Sequence, residues 1–166
     1  MDLKDNAVLK QLQEQLQEEN RVKDLEDIQV GDIIYYNLDV DDGLHPKAGG
    51  YNNRLKYIVV AGSKIDKSKI CAVLINSNNN YSQDADWQNE QYLIRQQDYP
   101  GVIDYDSWID CSDLKIIQTR KIQGKSAEKR GHLNQFDLSN VMNHLKNNDF
   151  IDNHTRKEFG IDKFED

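Results

Sequence analysis

Residues 31–62 read GDIIYYNLDVDDGLHPKAGGYNNRLKYIVVAG, and residues 70–80 read ICAVLINSNNN. The β-branched and aromatic residues that follow Gly31 favour a half-buried strand. The runs at 57–60 and 70–75 are short, continuous and apolar, which is typical of buried strands. The glycine-rich loop between the first two strands is longer than a hairpin needs, and long loops on rigid scaffolds often carry function. This stretch predicts strand, long loop, strand, turn and strand, and it decides the fold.

The rest of the chain predicts helices on both sides of the strands. Leu9, Leu12 and Leu16 recur at helical spacing within residues 2–26, and a core-facing stripe predicts a helix over 138–145, with Asp137 as its N-cap. A short last helix is expected over 150–159. Further strands are expected at 92–94, 107–111 and 115–122, a mobile polar loop at 78–90 and a basic loop at 124–131.

Short strands joined by polar turns, without alternating strands and helices, predict an α+β chain that is mainly β. The predicted architecture is a small antiparallel barrel flanked by helices. We divide the chain into an N-terminal helical extension at 1–28, the barrel with its closing helix at 29–147, and a C-terminal helical tail at 148–166.

The composition of the 166 residues predicts a cytoplasmic protein. No run approaches the roughly 20 apolar residues of a membrane span, and the polar, charged N-terminus does not resemble a signal peptide. Cys71 and Cys111 are expected to be reduced core thiols. The net charge of −8 argues against nonspecific nucleic-acid binding. The basic strip at 115–130 could still hold a phosphate backbone, or it could be an ordinary solvated loop.

Familiar catalytic and cofactor motifs are missing from the sequence. It contains no GxxxxGK[ST], GxGxxG, HExxH, CxxC or GxSxG motif. Its four histidines are scattered without metal-ligand spacing. The clustered Asp39, Asp41 and Asp42 lack the glycine and the distant glutamate of a calcium loop. We therefore expect neither a metal nor a cofactor.

The remaining polar residues suit an anionic ligand. Arg54 adjoins the glycine-rich loop, and Asn76 and Ser77 lie where the third strand ends. Arginine binds phosphate in a planar, bidentate geometry, and single-stranded nucleic acid is held by such cations together with stacking aromatic rings. The alternative for Arg54 is an ion pair with Asp39 or Asp41 that pins the loop.

The stretches GDIIYYNLD, YIVVAGSK and AVLINSN, with Arg54 before the second strand, resemble the PemK/MazF family of toxins from type II toxin–antitoxin modules. That family opens with Gly-Asp and a hydrophobic strand. It continues through a glycine-rich loop to an Arg-Pro before the next strand, and the strand after it ends in Pro-(Ile/Val)-Thr-Ser. Residues 109–117 and the helix over 136–145 resemble the end of its barrel, so the resemblance covers about residues 29–146.

The resemblance implies an SH3-like barrel that forms a homodimer. It also implies a cognate antitoxin protein as partner, and cleavage of single-stranded RNA without a metal, through attack by the RNA's own 2′-hydroxyl. Arg54 matches the family's catalytic arginine, Asn76 aligns with its catalytic Thr or Ser, and Ser77 is the neighbour of that position. The candidate substrate-binding residues are His45 and Lys47 in the loop and Lys115, Arg120 and Lys121 in the basic strip.

Two departures from the family pattern bear on catalysis. Arg54 is followed by Leu55 rather than by proline. The amide of Asn76 can donate a hydrogen bond to phosphate, but it cannot relay a proton as a hydroxyl can. Either Ser77 supplies the hydroxyl, or the barrel is a catalytically inactive module that binds protein or nucleic acid. A third interpretation, suggested by relatives on this barrel, is a toxin that poisons gyrase.

Overall fold

The computed structural model describes residues 3–46, 49–80, 82–124 and 127–166. Within these residues seven strands form one antiparallel sheet. The strands are β1 (Asp32–Asp39), β2 (Asn53–Ser63), β3 (Lys69–Asn76), β4 (Gln91–Ile94), β5 (Ser107–Asp110), β6 (Lys115–Gln118) and β7 (Glu128–His132). The order predicted from residues 31–80, which is strand, loop, strand, turn and strand, is confirmed.

Five α-helices flank the sheet in the described part of the chain. They are α1 (Leu3–Asp24), α2 (Ala85–Asn89), α3 (Thr119–Gly124), α4 (Gln135–Asn147) and α5 (Asn153–Glu158). The predicted class, α+β and mainly β with flanking helices, is therefore confirmed. None of the helices formed by the described residues combines the length and the hydrophobicity needed to cross a membrane.

The register of the central strands decides which residues meet at the end of the sheet. The sheet runs in the order β4-β5-β3-β2-β1-β7, and β6 pairs with the first half of β3. On β2, Arg54 lies opposite Leu38 of β1, and Tyr57 lies opposite Ile75 of β3. Asn76 ends β3 and pairs with Trp108 of β5. The start of β2 and the end of β3 therefore lie side by side.

Both faces of the central strands are buried, because successive side chains of a strand point to opposite faces. The first core lies between the sheet and α4, where Val141 and Leu145 belong to the same cluster as Val59 and Val73. The stripe predicted for this helix is thus confirmed as core-facing. The second core occupies the other face and combines residues of β1, β2 and β3 with Ile117 of β6 and Ile122 of α3.

The sheet is open, so the small antiparallel barrel predicted from the sequence does not close. In the described residues β1 is already paired on both edges, by β2 and β7, and β6 ends after four residues. Side chains instead bridge the open seam, which is the gap between β6–α3 and the end of β1 with the residues that follow it. The ammonium of Lys121 contacts carboxylate oxygens of Asp39 at 2.9 Å and of Asp42 at 2.7 Å, and the ammonium of Lys115 donates to the carbonyl of Gly43 at 2.7 Å.

Three local predictions are also wrong, because polar segments of the sequence form a regular strand or helix that their composition did not indicate. The expected basic loop at 124–131 contains β7, an edge strand without a hydrophobic side chain. The expected strand at 115–122 ends at Gln118, and α3 begins at the next residue. The expected loop at 78–90 contains α2, whose N-cap Asp84 accepts a hydrogen bond from the backbone N–H of Trp87 at 2.9 Å.

The apolar stripe of α1 remains largely uncovered. Leu9, Leu12 and Leu16 are 47%, 57% and 59% exposed. The helix is anchored near its C-terminal end, where Arg21 Nη1 donates to the carbonyl of Ala127 at 3.0 Å and Leu25 is fully buried. At these three leucines the helix is therefore not covered by the described body of the protein.

The C-terminal segment packs on the first core through Ile151, Phe159 and Ile161. The backbone N–H of Ser63 donates to the carbonyl of Phe159 at 3.1 Å. A Cβ atom at Gly62 would lie 2.3 Å from that carbonyl oxygen, which is too close for any side chain. Gly62 is therefore required for the close approach of this segment to β2.

Asp137 joins the first turn of α4 to the sheet. The expected N-cap role belongs to Asn134, whose side-chain oxygen accepts from the backbone N–H of Asp137 at 2.8 Å. The buried carboxylate of Asp137 accepts hydrogen bonds from the hydroxyl of Tyr92 at 2.7 Å, from the hydroxyl of Tyr99 and from the amide of Asn134 at 2.9 Å. The helix dipole also favours a negative charge in the first turn.

Three tyrosine hydroxyls bonded to carboxylates make the fold sensitive to alkali. Burial, and then the hydrogen bond to Asp42 or Asp137, raise the pKa of Tyr36, Tyr92 and Tyr99. An unfolded tyrosine loses its proton near pH 10. The stability that these hydroxyls contribute is therefore present below about pH 10 and is lost above it, at up to ~1.4 kcal/mol per pH unit for each.

We expect these three tyrosines to ionise only as the fold is lost, whereas exposed tyrosines ionise earlier. Ultraviolet absorbance of tyrosinate, recorded with far-ultraviolet circular dichroism through an alkaline titration, measures both events. Ionisation of all eight tyrosines of the sequence in one step, with the fold intact, would contradict this expectation.

Candidate functional site

Arg54, Lys56 and Asn76 form a cationic edge at the end of the sheet. Strand alternation places all three on the face of the second core, because Ile58 and Leu74 on the same strands belong to that core. The ammonium of Lys56 donates to the amide oxygen of Asn76 at 3.0 Å, and Asn76 is only 6% exposed. Arg54 is exposed and lies about 6.6 Å from Lys56 along the strand, a distance that both long side chains can bridge.

The guanidinium of Arg54 is not used to hold the loop. Asp39 contacts Lys121 instead, and Asp41 is exposed. Within the described residues no acidic side chain forms an ion pair with Arg54. The alternative structural role considered for Arg54 is therefore wrong, and its charge is available to an anion from solution.

Ser77 borders a cavity of about 280 Å³ at this end of the sheet. Lys56 and Asn76 border it as well, but strand alternation puts Tyr35 and Tyr57 on the face of the first core, so the cavity lies on the other face of the sheet from the side chains of the cationic edge. Much of its wall comes from three rings, Tyr35, Tyr57 and Tyr105, and from aliphatic residues that include Leu55. Leu55 and Tyr105 are 51% and 61% exposed, so the cavity is open to solvent.

Tyr35 and Tyr57 face each other across β1 and β2. Their ring centroids are 4.8 Å apart and their planes are inclined by 40°. The guanidinium carbon of Arg130 lies 5.4 Å from the ring centroid of Tyr35, within the range of a cation–π interaction. Burial raises the pKa of Tyr57, Arg130 opposes that rise, and Asp104 adds to it. The phenol of Tyr57 therefore remains neutral at physiological pH, and the pair offers an uncharged aromatic surface.

Neither Arg54 nor the described residues predicted to bind substrate line this cavity. The side chain of Lys115 is 5% exposed, and its ammonium contacts Asp113 at 2.7 Å in addition to Gly43. Arg120 is exposed, donates to the side-chain oxygen of Gln118 at 2.7 Å and borders a different cavity. His45 is exposed in the loop. Lys47 lies outside the described residues.

The sequence predicted that Lys121 contacts substrate, but its ammonium forms ion pairs with Asp39 and Asp42 inside the protein. Burial alone would lower the pKa of Lys121, but hydrogen bonds and charges from Asp42 and Asp39 outweigh it and raise the pKa. The side chain of Asp42 is 1% exposed, so its carboxylate depends on this ammonium and on the hydroxyl of Tyr36 at 3.0 Å.

We expect Lys121→Met to destabilise the fold by about 2 kcal/mol, because it leaves a buried carboxylate without its cation. Urea unfolding of the variant measures this loss. Lys157→Met, which removes an exposed lysine on α5, is the matched control and should stay within about 0.5 kcal/mol of the unchanged chain. Equal stability of the two variants would show that Lys121 does not hold the seam.

The sequence analysis did not identify three features of the candidate site, which are Lys56, the Tyr35–Tyr57 pair and Arg130. Strand alternation could have identified Lys56, because residues two apart on a strand share a face with Arg54. The contact between Tyr35 and Tyr57 depends on the register of β1 against β2. Arg130 belongs to the basic strip at 115–130, but its position over Tyr35 depends on β7, which the sequence did not predict.

Other cavities offer less to a charged ligand. One of about 550 Å³ is lined by Ile28, Ile70 and Thr119, and its cations Lys67, Lys69 and Arg120 are offset by Glu26 and Asp27. Among the described residues, no group of three or more His, Cys, Asp or Glu side chains comes together as metal ligands.

The fold and the side chains at this end of the sheet indicate the chemical class of ligand that the protein can bind. The chain is mainly β, with a cationic edge on one face of this end of the sheet and an aromatic cavity on the other, and these groups suit a ligand with both phosphate groups and planar rings. No family model matches the chain, and a search of curated proteins gave no match.

Proposed function

We propose that this chain is an endoribonuclease of the PemK/MazF type, which cleaves single-stranded RNA at the cationic edge of the sheet. One observation carries the proposal. The exposed guanidinium of Arg54 has no acidic partner among the described residues and lies two positions along β2 from the ammonium of Lys56. Paired cations of this kind bind phosphate, and the aromatic cavity on the other face of the same end of the sheet offers a surface to a base.

RNA supplies both the nucleophile and the leaving group in this reaction. The 2′-oxygen loses its proton and forms a bond to the adjacent phosphorus. The bond from phosphorus to the 5′-oxygen breaks, and that oxygen takes up a proton. The products are a 2′,3′-cyclic phosphate and a 5′-hydroxyl. The protein must position the phosphate, stabilise the negative charge that develops on it and move the two protons.

The residues at the edge divide these tasks in the proposal. Arg54 binds the phosphate oxygens and stabilises their developing charge, and Lys56 adds a second positive charge. Ser77 carries the hydroxyl that can exchange a proton with a reacting oxygen, because the amide of Asn76 cannot. Asn76 then acts as a positioning residue, through its hydrogen bond with Lys56 at 3.0 Å.

The test is incubation of the purified chain with a mixture of RNAs in the presence of EDTA. We expect shortened RNA whose new ends are 2′,3′-cyclic phosphates and 5′-hydroxyls. Intact RNA at a large excess of protein would overturn the proposal. Cleavage that stops in EDTA would also contradict it, because the proposed reaction uses no metal.

One contact favours a second function, which is RNA binding without cleavage. The residue that aligns with the family's catalytic Thr or Ser is Asn76, which is nearly buried and bonded to Lys56. If Ser77 does not replace the missing hydroxyl, the edge binds phosphate but does not move protons. Retention of intact RNA by the chain in the same EDTA buffer would establish this function in place of the first.

The resemblance also leads us to propose two protein partners, a second copy of the chain and an antitoxin. The mass of the purified chain in solution, measured by light scattering, tests the homodimer. A short neighbouring reading frame whose product suppresses RNA cleavage would support the antitoxin. The cytoplasmic location remains a prediction from composition.

A further inference from the structure

The cavity lined by Tyr35 and Tyr57 has the size of a single planar ring system. Its volume of about 280 Å³ corresponds to roughly nine water molecules at about 30 Å³ each, which is room for one purine or pyrimidine base. Tyr35 and Tyr57 are only partly buried, so their rings can make further contacts. The cavity therefore presents an aromatic surface whose dimensions suit a base.

Charged groups of opposite sign flank these rings. Arg130 lies over Tyr35, and its Nε is 3.5 Å from a carboxylate oxygen of Glu128. Asp104 lines the cavity itself. A carboxylate in this position repels a phosphate but accepts hydrogen bonds from an amino group. Phosphate should therefore stay on the Arg54–Lys56 edge, and a neutral ring should enter the cavity.

We propose that the cavity binds one nucleobase, stacked against the Tyr35–Tyr57 pair, and that Asp104 selects a base with an exocyclic amino group. This inference rests on the proposed function, since it takes the base from the RNA whose phosphate Arg54 binds. Stacking on aromatic rings accepts every base. Adenine, cytosine and guanine each carry an amino donor for the carboxylate, whereas uracil does not. RNA with an amino-bearing base at this subsite is thus bound more tightly than RNA with uracil there.

Free nucleosides test the cavity without the contribution of phosphate. Adenosine, cytidine and uridine are titrated into the full chain while the ring signals of its tyrosines are followed by nuclear magnetic resonance. We expect saturable shifts of the Tyr35 and Tyr57 signals, with uridine binding at least about threefold more weakly than adenosine or cytidine. Asp104→Ala should remove this difference, and Tyr35→Ala should weaken all three.

Tyr35→Phe is the control in case Tyr35→Ala fails to fold. Phenylalanine keeps the ring, so this variant should still bind the nucleosides. Phe150→Ala removes a half-exposed aromatic ring outside the cavity and should change nothing. A single-stranded RNA should bind Tyr35→Ala at least about fivefold more weakly than the unchanged chain, as expected from the loss of one base–ring stack.

The outcomes separate this inference from the proposed function. If RNA is cleaved but no nucleoside shifts the two tyrosines, the inference is overturned and the proposed function stands. If nucleosides bind with the expected preference but RNA stays intact, the inference stands and the proposed cleavage fails. Equal binding of all three nucleosides that Asp104→Ala does not alter would overturn the assignment of Asp104.

Discussion

Arg54→Ala should lower the rate of RNA cleavage at least about 100-fold, the usual loss when one donor to a developing negative charge is removed. The guanidinium is exposed and makes no ion pair with an acidic side chain among the described residues. Its removal should therefore leave the fold unchanged. Single-turnover cleavage of a defined RNA in EDTA, with a thermal melt of the same sample, measures both quantities.

Arg95→Ala is the matched control for this experiment. Arg95 is 57% exposed and contacts only Asp106 among the described acidic residues, at 3.1 Å. We expect its loss to change the cleavage rate less than about threefold, because surface ion pairs contribute little. Arg54→Lys should recover only part of the activity, since lysine lacks the planar pair of donors. Equal cleavage by Arg54→Ala and the unchanged chain would show that the phosphate is bound elsewhere.

Asp137→Ala should destabilise the fold by about 3 kcal/mol, which corresponds to a fall of roughly 6–12 °C in the melting temperature for a chain of this size. The variant leaves the hydroxyls of Tyr92 and Tyr99 and the amide of Asn134 without their common acceptor. It also removes a favourable charge from the first turn of α4. Urea unfolding and a thermal melt measure the loss.

Two further variants define the cause of that loss. Asp137→Asn keeps the size and one acceptor oxygen, so it should destabilise the fold less than Asp137→Ala does. Asp149→Ala removes an exposed acid just after the same helix and should stay within about 0.5 kcal/mol of the unchanged chain. A similar small effect from Asp137→Ala would mean that the network does not hold α4 to the sheet.

The core of the fold was predictable because its signals are local. Strands β1, β2 and β3 each carry an apolar run bounded by turn residues, and α4 carries a stripe at helical spacing. Such patterns reflect the burial of one or both faces of an element and need no knowledge of its neighbours. Edge strand β7 and helix α2 lack these patterns, since both are polar and largely exposed.

The open seam could not be predicted, because it depends on contacts between distant residues. In the sequence Lys115 and Lys121 belong to a cationic strip and suit a phosphate backbone. In the fold Lys121 meets Asp39 and Asp42, which lie 82 and 79 positions earlier in the chain. One lysine of the basic strip thus pairs with two residues of the acidic cluster, although the sequence analysis considered the two segments separately.

The candidate site was predictable in part. Arg54 and Asn76 lie at the ends of successive strands that pair as a hairpin, so their proximity follows from topology alone. The burial of Asn76 and its bond to Lys56 required the register of β2 against β3 and the pairing of Asn76 with β5. The aromatic cavity could not be predicted, because its walls come from separate parts of the chain. These include β1, β2 and the segment that holds Asp104 and Tyr105.

The position of bound RNA is the most direct test of the whole interpretation. A short RNA with 2′-O-methyl riboses, which has no nucleophile for cleavage, is titrated into the isotope-labelled chain while backbone amide signals are followed. We expect the largest shifts at Arg54, Lys56, Asn76 and Ser77, and the same titration of Arg54→Ala should give weaker binding. Shifts centred instead on the cavity lined by Ile28, Ile70 and Thr119, or no shifts at all, would contradict the assignment of RNA to this end of the sheet.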